Sequence, residues 1–194
     1  ASTRAVLEEA GLARLLRQMK RLSLPSSINV GKFSERIKVM SKAIVVVSFG
    51  TTYPETRRKT IEACEQAIQE HFPDYPVHRA FTSNVVRRRI KKQEGLDIPT
   101  VKEVLEQLLE AGTEEVYIQP LHVILGSEYE KILAQVKEFE SAFKKLVVAK
   151  PLLNSQEDYE AVKDILLERY GHEGQDAVTV LMGHGSQHYA FTAY

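Results

Sequence analysis

Two hydrophobic patterns alternate along the chain from Lys42 onward. Short runs of consecutive apolar residues predict buried strands, and stretches with apolar residues three and four positions apart predict helices between them. The predicted strands are Ala43–Ser48, Val77–Thr82, Glu115–Pro120, Leu146–Ala149 and Ala177–Met182. The predicted helices are Pro54–Phe72, Asn84–Gln93, Val101–Ala111, Glu128–Phe143 and Gln156–Tyr170. Strands that alternate with helices predict an α/β fold in which a parallel sheet is flanked by helices.

An internal similarity predicts how the chain is divided. Val45–Tyr53 and Val180–Tyr189 both run from an apolar strand into a small residue, an aromatic ring, a glycine and a hydroxyl residue. The second copy therefore predicts the beginning of a second α/β half. We interpret residues 40–175 as one α/β domain and residues 176–194 as the start of its partner, which we expect to be truncated at Tyr194.

Residues 1–39 differ in character from the rest of the chain. They hold eight Lys and Arg residues against three Glu residues, with a helix-like apolar stripe that breaks at Pro25. We interpret them as a leader or a non-native extension. A transit peptide and a short helix on a membrane surface are the alternatives, and Glu8 and Glu9 argue against the first of these.

The composition narrows the classes of function. Lys and Arg number 26, as do Asp and Glu, and 43% of the residues are hydrophobic. No apolar run approaches the roughly 20 residues of a membrane span, so we expect no insertion into a membrane. The single cysteine, Cys64, cannot form an internal disulfide, which suits a reducing compartment. We therefore expect a cytoplasmic protein.

The sharpest candidate site residue is His184, which lies between Gly183 and Gly185 after the last predicted strand. Ligands of open parallel sheets bind at the carboxyl ends of the strands. The glycines leave the imidazole free to face a cavity, where it can ligate a metal ion or accept a proton. A hydrogen-bonded histidine in a turn is the alternative. His188, four residues later, is a further possible ligand.

A second candidate group follows the third predicted strand. Glu128 lies at a predicted helix start, where the helix dipole favours a carboxylate, and the same residue could point into a cleft as a proton acceptor or metal partner. His122 directly follows the strand. It is a possible site residue, and a satisfied, partly buried histidine is the alternative.

Small and basic residues follow the first two strands. Ser48, Gly50 and Thr51 could hydrogen-bond an acidic ligand or cradle a phosphate, although the segment lacks the lysine of a P-loop. Arg87 and Arg88 belong to a basic run on one helix, which is either a solvated face or a site for a polycarboxylate ligand. Because no aromatic residues are interleaved for base stacking, we expect no nucleic acid partner.

Five collinear segments resemble the anaerobic sirohydrochlorin cobaltochelatases of the CbiK type. They are VVVSFGTTYPETRRKTIEACE, HRAFTSNVVRRRIKKQEGLDIPT, IQPLHVILGSEYEKI, PLLNSQEDY and MGHGSQHYAFTAY. The resemblance runs from Met40 to Tyr194 and implies a class II chelatase, with two similar α/β halves around a tetrapyrrole cleft. It implies an enzyme of cobalamin biosynthesis that inserts Co(II) into sirohydrochlorin, with cobalt as substrate metal and no organic cofactor.

The resemblance also implies roles for particular residues. His184 corresponds to the first histidine of the family's MGHG motif, and Glu128 to the glutamate of its EYEKI motif, which together serve metal binding and proton removal. A second metal-site histidine is expected beyond Tyr194. Without it, one side of the predicted metal site is missing from this chain. Ser127 stands where some relatives carry Asp. Arg87 and Arg88 are candidates to meet the peripheral carboxylates of the substrate.

Three hypotheses remain open from the sequence. The first is a cobaltochelatase, the second a noncatalytic tetrapyrrole or metal binder, and the third a structural fragment without either activity. A homo-oligomer could supply the missing side from another copy. The choice among cobalt, iron and nickel is not readable from one histidine and one glutamate.

Overall fold

A computed structural model describes residues 41–171, 178, 180, 182–185 and 187–190. Its described part contains a four-stranded, all-parallel sheet with the strand order β2-β1-β3-β4. The strands are β1 (Lys42–Ser48), β2 (Val77–Phe81), β3 (Glu115–Pro120) and β4 (Lys145–Val148). Residues 1–40, which include the predicted leader, lie outside the described residues, as do residues 172–177.

Helices connect the strands and follow β4. They are α1 (Pro54–Arg57), which continues through a π-helical turn (Arg58–Glu62) into α2 (Ala63–His71), then α3 (Asn84–Glu94), α4 (Val101–Glu110), α5 (Ser127–Lys137) and α6 (Gln156–Tyr170). The prediction of an α/β fold with a parallel sheet flanked by helices is confirmed.

Both faces of the central strand β1 are buried, which explains its continuous apolar run. On one face, Val45 and Val47 belong to a core cluster with residues of α4 and α5, including Leu105 and Ile132. On the other face, Ile44 and Val46 belong to a cluster with Ile68 of α2 and with Tyr75 and Tyr117. Helices therefore cover the sheet on both sides.

Two predicted elements differ from the structure. The helix predicted over Glu128–Phe143 ends at Lys137, because the chain turns there and buries Phe139 and Phe143 against the core. The predicted strand Ala177–Met182 lies in part outside the described residues. Its described members, Val178, Val180 and Met182, are exposed and belong to no strand.

The parallel strands end together at one edge of the sheet, which we call the carboxyl edge: the ends of β1, β2 and β3 and the loops that follow them. Thr82 N–H donates to the Ser48 carbonyl at 2.9 Å, and Leu121 N–H donates to the Val47 carbonyl at 2.7 Å. These bonds hold the first residues after β2 and β3 beside β1. The described helices include none with the length and hydrophobicity to cross a membrane.

Candidate functional site

Four polar side chains on the carboxyl edge keep buried atoms that have no hydrogen-bond partner among the described residues. They are Ser48 Oγ, Thr82 Oγ1, both ring nitrogens of His122 and Glu128 Oε2. We call these four residues the edge cluster. An unsatisfied buried polar atom costs about 1–3 kcal/mol, and buried polar groups elsewhere in proteins are mostly paired. A concentration of such atoms at the ligand-binding edge of a parallel sheet is typical of a site that a ligand completes.

The members of the edge cluster are linked to one another through space. Ser48 and Thr82 are joined by the backbone bond between adjacent strands. The Thr82 hydroxyl lies close enough to Glu128 to help lower the pKa of its carboxyl, although the two side chains form no hydrogen bond of good geometry. The Glu128 carboxylate in turn acts electrostatically on His122. One end of the sheet thus brings together residues that lie up to 80 positions apart.

His122 is a neutral imidazole at neutral pH. Burial lowers its pKa to about 4, against the opposing influence of the Glu128 carboxylate, which favours the charged ring. A neutral imidazole carries one N–H donor and one lone-pair acceptor, and neither is used within the described part of the chain. The ring can therefore both give and receive one hydrogen bond.

Glu128 begins helix α5 and is ionised at neutral pH. Burial raises the pKa of its carboxyl, but the hydrogen bond from Lys131, the Thr82 hydroxyl and the neighbouring charges lower it by more. Lys131 Nζ donates to Glu128 Oε1 at 2.5 Å, which leaves Oε2 as the buried, unpartnered oxygen. The side chain thus offers an anionic acceptor beside the edge cluster.

The loop after β1 is shaped by Gly50. Its φ of 92° lies in the region that favours glycine, and a Cβ atom there would stand 2.4 Å from Phe81 Cδ2. The predicted substrate contact Thr51 is buried, and its Oγ1 accepts a 3.3 Å hydrogen bond from Tyr53 N–H. Phe49, by contrast, exposes half of its surface, so this loop also presents an aromatic ring to solvent.

The two predicted arginine contacts differ in their surroundings. Arg87 is held by the chain itself: its guanidinium donates to the Ile98 carbonyl and to Glu103, both at 2.5 Å. Arg88 is exposed and forms no ion pair with a described residue, while its Nε donates to the Asn84 carbonyl at 3.2 Å. Both arginines line a groove of about 410 Å³. Arg88 is thus the freer of the two to meet an anionic ligand.

His184 is exposed, and its Nδ1 lies 2.8 Å from the Gly185 carbonyl oxygen. A carbonyl only accepts hydrogen bonds, so Nδ1 carries the proton and Nε2 carries the lone pair. A backbone carbonyl that fixes the tautomer in this way is a common partner of histidine ligands to metals.

His188 lies against helix α5. Its Nε2 is 3.1 Å from Glu130 Oε1, two residues after Glu128. Among the described residues, no hydrogen bond or ion pair joins His184 to Glu128. The same residues contain no group of three or more His, Cys, Asp and Glu side chains arranged to hold a metal ion. His184 as metal ligand therefore stays a prediction.

The sequence indicates the loop Thr82–Ser83 after β2 as one of the strand-end loops where a ligand can bind, but it misses Thr82 as a site residue. It also missed Gln119 of β3, which is buried with its Oε1 unpartnered and its Nε2 bonded to the Pro120 carbonyl at 2.9 Å. In the sequence, Thr82 is marked only by its place at the carboxyl end of a strand. Every parallel strand has a residue in that place, so the place alone does not select Thr82.

Comparison with known proteins places these features in a family. The family described as cobalt chelatase (CbiK) matches residues 42–194. The sirohydrochlorin cobaltochelatase of Salmonella typhimurium is 41% identical over 155 residues, which are 80% of this chain and 59% of that protein. The sirohydrochlorin cobaltochelatase CbiKC of Nitratidesulfovibrio vulgaris is 30% identical over 172 residues, which are 87% of this chain and 60% of that protein.

The chain thus spans about 60% of the length of these curated relatives. A crystal structure described as a cobalamin biosynthesis CbiX protein, from Marinobacter aquaeolei VT8, superposes with a TM-score of 0.47 and 16% identity, over 68% of this chain and 98% of that one. Because the family match covers more than three quarters of the residues of this chain, the chain belongs to the cobalt chelatase (CbiK) family.

Proposed function

We propose that the protein acts in the insertion of Co(II) into sirohydrochlorin during cobalamin biosynthesis, as the names of its relatives indicate. Co(II) and the tetrapyrrole are both substrates, and the reaction uses no organic cofactor. The observation that carries the proposal is the edge cluster, whose buried and unpartnered atoms, Glu128 Oε2 among them, lie where a parallel sheet binds its ligands. The reducing conditions that suit the single Cys64 support a cytoplasmic location.

Metallation exchanges two pyrrole protons of the macrocycle for one divalent ion. The products are the cobalt macrocycle and two protons, so the reaction needs a group that accepts a proton beside the bound ring. Glu128 suits this role because it is ionised at neutral pH and because its Oε2 has no partner among the described residues. A pyrrole N–H proton would move to this oxygen and give the neutral carboxylic acid.

The cobalt ion must also be held while it loses its bound water. The tautomer of His184 suits this role, since the Gly185 carbonyl holds the proton on Nδ1 and leaves the Nε2 lone pair for a metal. His184 would present cobalt to the macrocycle, and Glu128 would accept one of the two protons that cobalt displaces. The other proton would pass to solvent water.

The remaining members of the edge cluster would bind and orient the macrocycle. Ser48 and Thr82 each offer one hydroxyl, and neutral His122 offers one donor and one acceptor. Arg88 is placed to meet a peripheral carboxylate, because no described acidic residue pairs with its guanidinium. Gly50 and Thr51 would shape the loop that follows Ser48 rather than contribute charge.

The test is a metallation assay with Co(II) and sirohydrochlorin, followed by the absorbance change of the product. We expect Glu128→Gln to lower the rate by about 100-fold or more, the usual contribution of a general base. Glu138→Gln is the matched control, since Glu138 lies beyond the far end of α5 and pairs with the exposed Lys102. We expect His184→Ala to lower the rate as well. Unchanged rates in both site variants would refute the proposal.

A noncatalytic binder of tetrapyrrole or metal is the second candidate. It is favoured by the absence, within the described residues, of a three-residue metal cluster. Sirohydrochlorin binding without metallation above the background rate would support this second function. If a homo-oligomer completes the site, the rate per chain will rise with protein concentration, and light scattering will show the larger species.

A further inference from the structure

A histidine outside the edge cluster connects the two predicted catalytic residues. His188 lies four residues after His184, and its imidazole meets Glu130, which lies two residues after Glu128 on helix α5. The rings of His188 and Tyr189 lie with their centroids 4.2 Å apart and their planes tilted by 38°, and only 16% of the His188 side chain is exposed. The segment that carries His184 is thereby held against the helix that carries Glu128.

The hydrogen bonds of His188 fix its tautomer. Ala190 N–H donates to His188 Nδ1 at 3.2 Å, so Nδ1 carries a lone pair and Nε2 carries the proton. The Nε2–H group then donates to Glu130 Oε1 at 3.1 Å, and the Glu130 carboxylate accepts. Because both ring nitrogens are engaged, His188 is poorly suited to the role of metal ligand that its spacing from His184 had suggested.

We infer that His188 is a positioning residue, which anchors the His184 loop to the first turns of α5 through Glu130. The inference rests on the proposed function in one respect, because only the proposed metallation requires His184 to lie near Glu128. Four residues span at most about 14 Å, so the anchor limits how far His184 can lie from the helix. The 14 residue-to-residue steps from Tyr170 to His184 could span about 48 Å by chain length alone.

Backbone order parameters from NMR test the anchor without any substrate. In His188→Ala and in Glu130→Ala, we expect the order parameters of Gly183, His184 and Gly185 to fall toward about 0.6 or below, the range of a flexible backbone. Because His188→Ala already removes the contact with Glu130, the double variant should be no more mobile than His188→Ala. Unaltered order parameters in the single variants, or fully additive effects in the double variant, would overturn the inference.

Two conservative variants separate the two contacts of the ring. The amide of His188→Gln can reach the position of Nε2 and donate to Glu130, whereas His188→Asn can replace only Nδ1 as the acceptor for Ala190. We expect His188→Gln to restore most of the backbone order and His188→Asn to restore little. Glu130→Gln keeps an acceptor oxygen, and its order parameters should stay close to those of the unaltered protein.

Kinetics then connect the anchor to the reaction. We expect His188→Ala to lower kcat for metallation about tenfold while the KM for sirohydrochlorin and the melting temperature change little, because a misplaced ligand slows the chemical step. A change in KM alone would contradict a positioning role. If the protein metallates nothing, the proposed function fails, but the order parameters still decide whether His188 anchors the loop.

Discussion

The backbone of Gly50 lies directly against the aromatic ring of Phe81. A Cβ atom on Gly50 would stand 2.4 Å from Phe81 Cδ2 and 2.9 Å from two other ring atoms. Phe81 is fully buried and pairs with Ser48 across the β1–β2 ladder, so its ring cannot move aside freely. The loop after β1 is therefore packed onto the end of β2, and this contact sets where Ser48 enters the edge cluster.

Gly50→Ala should destabilise the protein by more than about 2 kcal/mol. The left-handed backbone alone costs a residue with a Cβ atom about 1–2 kcal/mol, and the clash with Phe81 adds to that loss. Gly95→Ala is the control, because Gly95 has a φ of 70° but no atom within 4 Å of the added Cβ. Urea denaturation measures both. Equal losses would show that the Phe81 contact is unimportant.

Ser48→Ala should raise the free energy of unfolding by about 1 kcal/mol, while it weakens sirohydrochlorin binding. The Ser48 hydroxyl is buried without a partner, so its removal relieves a desolvation penalty. Thr60→Val is the matched control, since the equally buried Thr60 hydroxyl donates to the Thr56 carbonyl at 2.7 Å and its loss should destabilise. Denaturation measures the stability of both variants, and tetrapyrrole titration measures the binding of Ser48→Ala. A Ser48→Ala protein that is less stable than the unaltered protein would contradict this prediction.

His122 should make the protein less stable as the pH falls from about 6.5 to about 4. Its folded-state pKa of about 4 lies below the ordinary value near 6.5, so the unfolded chain binds the proton first within this window. The stability from neutral His122 is complete above the window and is lost within it, by at most about 3 kcal/mol, with no further loss below about pH 4.

His122→Leu should remove this part of the pH dependence, and the difference between the two unfolding curves isolates it. The exposed His71 supplies a control, since His71→Gln should leave the slope between pH 6.5 and 4 in place. The same slope in His122→Leu and in the unaltered protein would mean that other groups cause it.

Arg88→Gln and Arg87→Gln should change different properties of the protein, ligand binding in the first variant and thermal stability in the second. Arg88 is exposed and has no acidic partner among the described residues, so its replacement should leave the melting temperature unchanged and weaken tetrapyrrole binding about three- to tenfold. Arg87 holds Glu103 and the Ile98 carbonyl, so its replacement should lower the melting temperature. Thermal melts and binding titrations compare the pair. A larger loss of tetrapyrrole binding in Arg87→Gln than in Arg88→Gln would contradict this assignment.

The sequence pattern predicts most of the fold because the sheet is buried on both faces. Strand β3 and helix α6 agree with prediction at both ends. The apolar run of Val116, Tyr117 and Ile118 in β3 and the capping box at Ser155 before α6 are local signals. The π-helical turn after Arg57 and the early end of α5 have no such signal. They follow from tertiary packing, for example of Phe139 and Phe143 onto the core.

The candidate site was predictable only in part, for a related reason. Glu128 and His184 were selected by motif, and Ser48 by its place after a strand. Whether a hydroxyl finds a hydrogen-bond partner depends on residues that folding brings near, so the sequence alone did not distinguish Thr82 from any other residue at a strand end.

The central position of β1 determines the order in which the growing chain can assemble during translation. Among the described strands β1 leaves the ribosome first, but Ile44 pairs with Val77, 33 residues later, and Ala43 pairs with Val116, 73 residues later. At 5–20 residues per second, the second partner emerges about 4–15 s after β1. For that interval the most hydrophobic strand of the sheet has an unpaired side, which makes the nascent protein most vulnerable to self-association before β3 arrives.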